Sequence, residues 1–157
     1  DFVILTPDAV RGIIEVKANL QNQNLTNILR QANENGKFIF TGKDDKEQKF
    51  FNGIFSFGGY TTFDVDIFAQ NYTNGNLDFL EDVDYQRFKV NHVSLNKNWF
   101  IKVWNDDLLP HSLYKIQDLS FSFFISTLTD TLSNKSVIKT NFIWYETDKE
   151  PKFVSTF

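Results

Sequence analysis

Two acids and a lysine near the start of the chain have types and spacing that suit metal-assisted chemistry. Apolar runs rich in Val and Ile flank the turn-forming residues 6–9, and this pattern predicts a β-hairpin. With the turn centred near Asp8, cross-strand partners have numbers that sum to about sixteen, so Asp1 lies opposite Glu15. Side chains alternate along a strand, so Glu15 and Lys17 share one face. Two carboxylates beside a lysine suit a divalent cation with an activated water.

Asp8 is a second acid that precedes Glu15, and it follows Pro7 directly. It lies at the predicted hairpin tip, and at about 3.3 Å per residue it would stand roughly 20 Å from Glu15. Two carboxylates cannot share a metal ion over that distance. Asp8 therefore stays an alternative that would need a bulge or a different strand register.

Composition limits the class of protein. The chain has 157 residues, of which 41% are hydrophobic, and this predicts a single domain over residues 1–157 with a sizeable core. Cysteine is absent, which is compatible with a reducing cytoplasm. No apolar run has membrane-spanning length and no signal sequence is recognisable, so we expect a cytoplasmic protein without a membrane partner. The net charge of −4 provides no general basic field, so nucleic-acid binding would need a local patch.

The elements that follow the hairpin predict an α/β fold. A helical pattern starts after Asn24, a plausible N-cap, and Gly36 is predicted to end it. The segment 37–41 is ambiguous between a strand and a helix tail. Residues 50–57 are almost continuously apolar, as in a strand that is buried on both faces. With the helix as a right-handed crossover, this strand is predicted to run parallel to the one that carries Glu15.

The second half of the chain predicts a mixture of helices and strands. A helix is expected within residues 61–74, and segments 87–95 and 98–104 are expected to form a hairpin. Residues 77–86 are acidic and are expected at the surface. Ser112 is predicted to cap a long helix, and residues 142–145 form a last apolar run.

The remaining polar residues of this half carry weaker signals. His92 and His111 are interpreted as surface or capping residues, because no close His, Asp or Glu spacing links them into a metal site. Lys89, Lys97 and Lys102 lie on or beside the second hairpin. They form a candidate phosphate-facing group, with a solvated face as the default interpretation.

The opening hairpin with Asp1, Glu15 and Lys17, followed by a helix and a buried strand, resembles the core of the PD-(D/E)xK nuclease superfamily. Within it, the runs 12–20 and 52–57 are similar to a bacterial nuclease-like domain family of unknown function. The match is sharp over about the first twenty residues and suggestive beyond them. The resemblance implies a restriction-endonuclease-like mixed sheet core flanked by helices. Since family members carry a helix and a strand before the aspartate, it also implies a domain that lacks these two elements.

The resemblance further implies a set of site residues. In that superfamily the aspartate and the glutamate bind Mg²⁺ and the lysine assists the attacking water, which assigns Asp1, Glu15 and Lys17 by matching positions. Mg²⁺ prefers oxygen ligands and keeps several waters, so the backbone carbonyl of Val16 is expected to complete the protein's share of the ligands. Mn²⁺ is expected to substitute for Mg²⁺. The alternative interpretation is that Glu15 and Lys17 lie on the exposed face of an antiparallel strand, with a cross-strand ion pair.

Two functions are therefore expected from the sequence. The first is a metal-dependent DNA endonuclease that hydrolyses phosphodiester bonds, with a role in defence against foreign DNA that is implied by the resemblance alone. The second is a catalytically inactive nuclease-like fold that serves as a binding or assembly module, which the acidic net charge slightly favours. DNA is the expected partner, and a homodimer stays open.

Overall fold

The computed structural model of the protein describes residues 5–44, 49–103, 111–133 and 153–157. Within these ranges six strands form one mixed sheet whose spatial order follows the sequence. The first three strands pair in parallel, and the pairings from the third strand to the sixth are antiparallel. The strands are β1 (Gly12–Asn19), β2 (Phe51–Gly58), β3 (His92–Ser94), β4 (Trp99–Val103), β5 (His111–Lys115) and β6 (Phe153–Thr156).

Helices cover both faces of this sheet in the described part of the chain. The helices are α1 (Leu25–Thr41), α2 (Val65–Asn74), α3 (Tyr85–Phe88) and α4 (Ser120–Leu132). Apolar residues of α1 and α2 form one core with the sheet, whereas α4 forms a second core with it. The predicted α/β class is confirmed. None of the helices in the described ranges is long and apolar enough to cross a bilayer.

Strand β2 separates the two cores, as its almost continuous apolar sequence predicts. Alternate side chains of a strand point to opposite faces, so Ile54 enters the core with α1 and Phe51 enters the core with α4. Both side chains are fully buried. The predicted parallel pairing of β2 with β1 is confirmed, with Glu15 directly beside Ile54.

Helix α1 begins where the sequence predicts and ends later. The side chain of Asn24 caps it by accepting a hydrogen bond from the backbone N–H of Asn27 at 3.0 Å, which satisfies a free helix-end donor. The prediction that Gly36 ends the helix is wrong, because α1 continues to Thr41. Gly36 is buried inside the helix, where α1 passes close to Asn52 and Phe88.

Strand β1 occupies one edge of the described sheet. Its side chains Ile14 and Val16 point away from α1 and are exposed. The predicted turn before it is present as a 3₁₀ turn at Pro7–Ala9. The strand that was predicted to pair with β1 across this turn falls mostly within residues 1–4, which lie outside the described residues.

Two predictions for other segments are wrong. Ser112 does not cap a helix; it lies in β5 opposite Lys102, because residues 111–115 pair along their whole length with β4. The following helix starts only at Ser120, after Asp118 adopts a positive φ of 59° that interrupts the chain direction. The segment 77–86 is not entirely at the surface, since its aromatic side chains are drawn into a small core. The apolar run 142–145 lies outside the described residues.

We predict that Gly36→Ala destabilises the fold. Alanine normally stabilises a helix interior by about 1 kcal/mol relative to glycine, but a Cβ at position 36 would lie 2.5 Å from Nδ2 of Asn52 and closer still to the carbonyl of Phe88. Overpacking of this kind costs roughly 1–3 kcal/mol. Urea denaturation should therefore show a lower free energy of unfolding.

The matched control for that experiment is Glu34→Ala, two positions earlier on the exposed side of α1. This change should leave the free energy of unfolding within about 0.5 kcal/mol of the parent value. A Gly36→Ala protein as stable as the control would contradict the close packing of α1 on β2.

Candidate functional site

Glu15 and Lys17 lie side by side on the face of β1 that is turned towards α1. The strand alternation places both on the face of Ile54, the neighbour of Glu15 in β2. Their charged groups form an ion pair, with 2.7 Å between Nζ of Lys17 and Oε1 of Glu15. The side chains are 30% exposed for Glu15 and 19% exposed for Lys17. A carboxylate and an ammonium group thus share one solvent-accessible position on a rigid strand.

A cleft of about 290 Å³ opens beside this pair, between β1 and α1. The carboxylate-bearing Glu15 lines it together with two asparagines and apolar side chains. The lining residues are Ile13, Ile14, Glu15, Ala32, Asn35, Phe38, Ile39 and Asn52. Phe38 remains 77% exposed at this cleft, so the cleft combines hydrogen-bonding groups with an accessible aromatic ring.

Asn52 is the polar residue of the cleft that sequence reasoning missed. Its Nδ2 donates to the carbonyls of Ala32, at 2.9 Å, and Phe88, at 2.8 Å. Because both contacts need a donor, they fix the orientation of the amide. Its Oδ1 is buried and has no hydrogen-bond partner among the described residues. The signal for Asn52 in the sequence was its position as an amide near the start of the almost continuously apolar run 50–57.

The backbone of β1 leaves the carbonyl of Val16 outside the β1–β2 ladder. The carbonyl of Arg11 accepts from the N–H of Phe51, and the parallel register continues unbroken through Lys17. In a parallel ladder every second residue directs both backbone groups at the neighbouring strand. The backbone groups of the odd-numbered residues of β1 therefore face β2. The carbonyl of Val16 points away from β2, and this carbonyl is the one that the sequence predicts to be a metal ligand.

Of the two remaining candidate acids, the described residues include only Asp8, which stands apart from this pair. Asp1 lies outside the described residues, so its predicted place opposite Glu15 stays a prediction. The Oδ1 of Asp8 accepts from the backbone N–H of Asp44 at 2.8 Å, beyond the end of α1. Nearby, Nζ of Lys43 donates to the carbonyls of Pro7 and Val10. Asp8 is therefore engaged with the turn and the end of α1, which disfavours it as the alternative partner of Glu15.

The donor set in the described ranges fits a hard divalent cation in part. No group of three or more His, Cys, Asp or Glu side chains lies close enough in these ranges to hold a metal ion. Glu15 provides a carboxylate, and the outward carbonyl of Val16 is a second oxygen of the kind that such cations accept. A further carboxylate would have to come from outside the described residues, as predicted for Asp1.

The two histidines are buried, and their interpretation as surface or capping residues is wrong. The ring of His92 stacks on Phe51 with 5.0 Å between ring centroids, and its Nδ1 lies 2.7 Å from Oδ1 of Asn91. Burial, assisted by the charge of Lys102, lowers the pKa of His92 to about 3. Burial, assisted by the charge of Lys89, likewise lowers the pKa of His111 to about 3. Both rings are therefore neutral at pH 7.

The three lysines of the second hairpin do not form a phosphate-facing group. Lys89 and Lys102 are buried, and desolvation lowers the pKa of each to about 8. Lys97 is exposed and pairs with Asp118 at 2.8 Å. A surface that binds a nucleic-acid backbone needs accessible charges, and only one of these three residues provides one.

Comparison of the chain with family models, with curated proteins and with solved structures gave no significant match. The chemistry of this face therefore follows from its own residues. Its defining geometry is the contact between Glu15 and Lys17 on β1, beside a cleft that Glu15 and Asn52 line.

The buried histidines predict a loss of stability in mild acid. An unfolded histidine takes up a proton near pH 6.5, whereas His92 and His111 do so only near pH 3 in the fold. As pH falls from 6.5 towards 3, the unfolded state binds more protons and the free energy of unfolding decreases. The slope is at most about 1.4 kcal/mol per pH unit for each histidine. Urea denaturation between pH 6.5 and 4.5 measures this slope at pH values above those at which most carboxylates take up a proton.

His92→Gln and His111→Gln should each remove about half of this slope, because the chain contains two histidines. Lys97→Gln, at an exposed ion pair, is the matched control and should leave the slope unchanged. An undiminished slope in both histidine variants would contradict their burial as neutral rings.

Proposed function

We propose that this chain is a metal-dependent nuclease domain of the PD-(D/E)xK type that hydrolyses DNA. The observation that carries the proposal is the contact between Glu15 and Lys17, two residues apart on an accessible strand face. A role in defence against foreign DNA belongs to the proposal and rests on the sequence resemblance alone.

The topology around the pair supports this proposal. The strand that carries Glu15 and Lys17 is followed by a long helix and then by a buried parallel strand, the order that the resemblance implies. The mixed sheet with helices on both faces is compatible with a restriction-endonuclease-like core. That finer assignment of the fold is part of the proposal.

Each site residue has a defined role in the proposed reaction. Glu15 and the carbonyl of Val16 would hold Mg²⁺ or Mn²⁺ together with Asp1. The bound cation would lower the pKa of a coordinated water and offset negative charge at the scissile phosphate. The ammonium group of Lys17 has three donors, so it can orient an attacking water and stabilise the charge that develops on the phosphate.

A catalytically inactive binding or assembly module is the second candidate function. The net charge of −4 disfavours close approach of DNA at most of the surface. In addition, the pairing of Glu15 with Lys17 is also a stable arrangement for a strand face without any metal. The two candidates differ in one measurable property, which is turnover in the presence of a divalent cation.

Plasmid cleavage with Mg²⁺ or Mn²⁺ tests the proposal. The parent protein should nick or linearise the plasmid only when the cation is present. Lys17→Ala should lower the rate by at least about a hundredfold, since it removes a group that acts on the developing charge. Glu15→Gln should weaken Mn²⁺ binding measured by calorimetry, because an amide is a poorer ligand than a carboxylate.

Lys37→Ala is the matched control for the loss of a lysine. Lys37 lies on α1, is half-exposed and pairs with Asp82 at 2.6 Å, so its removal should leave cleavage unchanged. Absence of both metal binding and cleavage in the parent protein would favour the binding module. Equal cleavage by the parent and Lys17→Ala would refute the assigned role of Lys17.

A further inference from the structure

The face of β1 that is turned away from α1 forms an exposed apolar surface together with the neighbouring side of α4. Two members of this surface lie on β1, one lies near the end of β2 and three lie on α4. This β1–α4 patch consists of Ile14, Val16, Phe57, Phe121, Ile125 and Leu132. Glu15 and Lys17 lie on the opposite face of β1, so the candidate nuclease site uses no residue of the patch.

Strand register and ring contacts connect the members of the patch. Val16 lies directly beside Phe55 in the β1–β2 ladder. The ring centroid of Phe55 lies 5.1 Å from that of Phe57 and 4.8 Å from that of Phe121. Ile125 follows Phe121 by four residues and therefore lies on the same side of α4. The patch is thus one continuous surface, of the kind that marks an interaction site when polar residues surround it.

The exposed side of α4 lacks the charged residues of an ordinary surface helix. A helix whose outer face stays in water usually presents charged and polar residues there, whereas the core of a protein–protein interface is depleted of charge. None of the exposed residues of α4 is charged; they are Ser122, Ile125, Ser126, Thr129 and Leu132. This side of α4 therefore has the composition of an interface.

The patch has the shape of a ridge beside a trough. Parallel strands usually carry helices on both faces of the sheet, and α1 lies on one face of β1. On the other face, the core beneath α4 includes no residue of β1 within the described ranges. Helix α4 is about 10 Å across with its side chains, so it stands above the uncovered strand. Each copy of the protein therefore presents a ridge, α4, and a trough, the outer face of β1.

The exposed area of the patch approaches what a stable dimer requires. Ile14, Val16, Phe57, Ile125 and Leu132 have 39%, 58%, 64%, 53% and 41% of their surface exposed, respectively. At roughly 150 Å² for a fully exposed apolar side chain, these five present about 400 Å² of apolar surface. One partner of a standard interface buries about 800 Å², of which roughly 500 Å² is apolar. The patch therefore supplies most of the apolar area of such an interface.

We infer that the β1–α4 patch is a self-association surface, at which α4 of one copy packs on β1 of a second copy in a two-fold dimer. In such a dimer both copies bury the same surface, and the ridge of each copy fills the trough of the other. The members of the patch carry no charge, so a second copy buries no unpaired charge there, although each chain has a net charge of −4. The face of β1 that carries Glu15 and Lys17 stays accessible in the dimer.

Sedimentation equilibrium without divalent metal or DNA tests this inference independently of nuclease activity. At about 100 μM the parent protein should be mostly dimeric, with a Kd of about 10 μM or tighter and a mass near twice the 18.4 kDa of the chain. Ile125→Glu and Val16→Glu each place a charge in the interface on both copies. Each variant should therefore weaken association by at least about a hundredfold.

Ile67→Glu is the matched control, since Ile67 is also an exposed isoleucine on a helix and lies on α2, away from the patch. It should dimerise like the parent protein. Ile125→Ser removes the apolar side chain without adding a charge and should weaken association by roughly tenfold. This variant decides the question if circular dichroism shows that a glutamate variant does not fold.

Three results would overturn the inference. The first is a parent protein that is monomeric at about 100 μM, because a different occupant would then cover the patch. The second is equal dimerisation of the parent protein and both Ile125 variants, or loss of the dimer in Ile67→Glu as well. The third is a dimer that Ile125→Glu abolishes and Val16→Glu leaves intact, since α4 would then pack on some surface other than β1.

Discussion

The side chain of Asn52 holds together the elements on which the rest of the structure depends. Its amide donates to carbonyls of α1 and of the last residue of α3, and its backbone carbonyl accepts from Asn91 beside β3 at 2.9 Å. A buried amide N–H is costly unless it is hydrogen-bonded, and Nδ2 of Asn52 makes both of its hydrogen bonds here. The glycine at position 36 is the counterpart of this requirement, because any larger residue would occupy the space of the amide.

The position of α1 in turn determines the candidate site. Asn52 holds α1 over β2, and β1 is the neighbouring strand at the edge of the described sheet. The face of β1 that carries Glu15 and Lys17 is therefore accessible beside α1. On a central strand, burial of such a pair would cost more desolvation free energy. Lys102, on a central strand, is desolvated enough to have its pKa lowered to about 8. An edge strand leaves a carboxylate and an ammonium group in contact with water.

Sequence periodicity predicted the elements whose signals are local. Asn24 caps α1 as expected, and the apolar run 50–57 became the buried parallel strand, because capping and continuous burial depend on short segments. It failed at Gly36 and Ser112. A glycine that ends a helix and one that lies under a packed neighbour look alike in sequence, and a serine before apolar residues fits a strand as well as a helix cap.

The candidate site shows the same division between local and distant information. The shared face of Glu15 and Lys17 was predicted from strand alternation alone, and the two side chains form an ion pair on that face. The contribution of Asn52 could not be foreseen, because its neighbours in the cleft come from β1 and α1, more than a dozen positions away in sequence. Likewise, nothing local showed that His111 would be buried. Burial of a single polar residue depends on which distant elements pack around it, so the polar groups that a fold encloses are the hardest part of a site to infer from spacing.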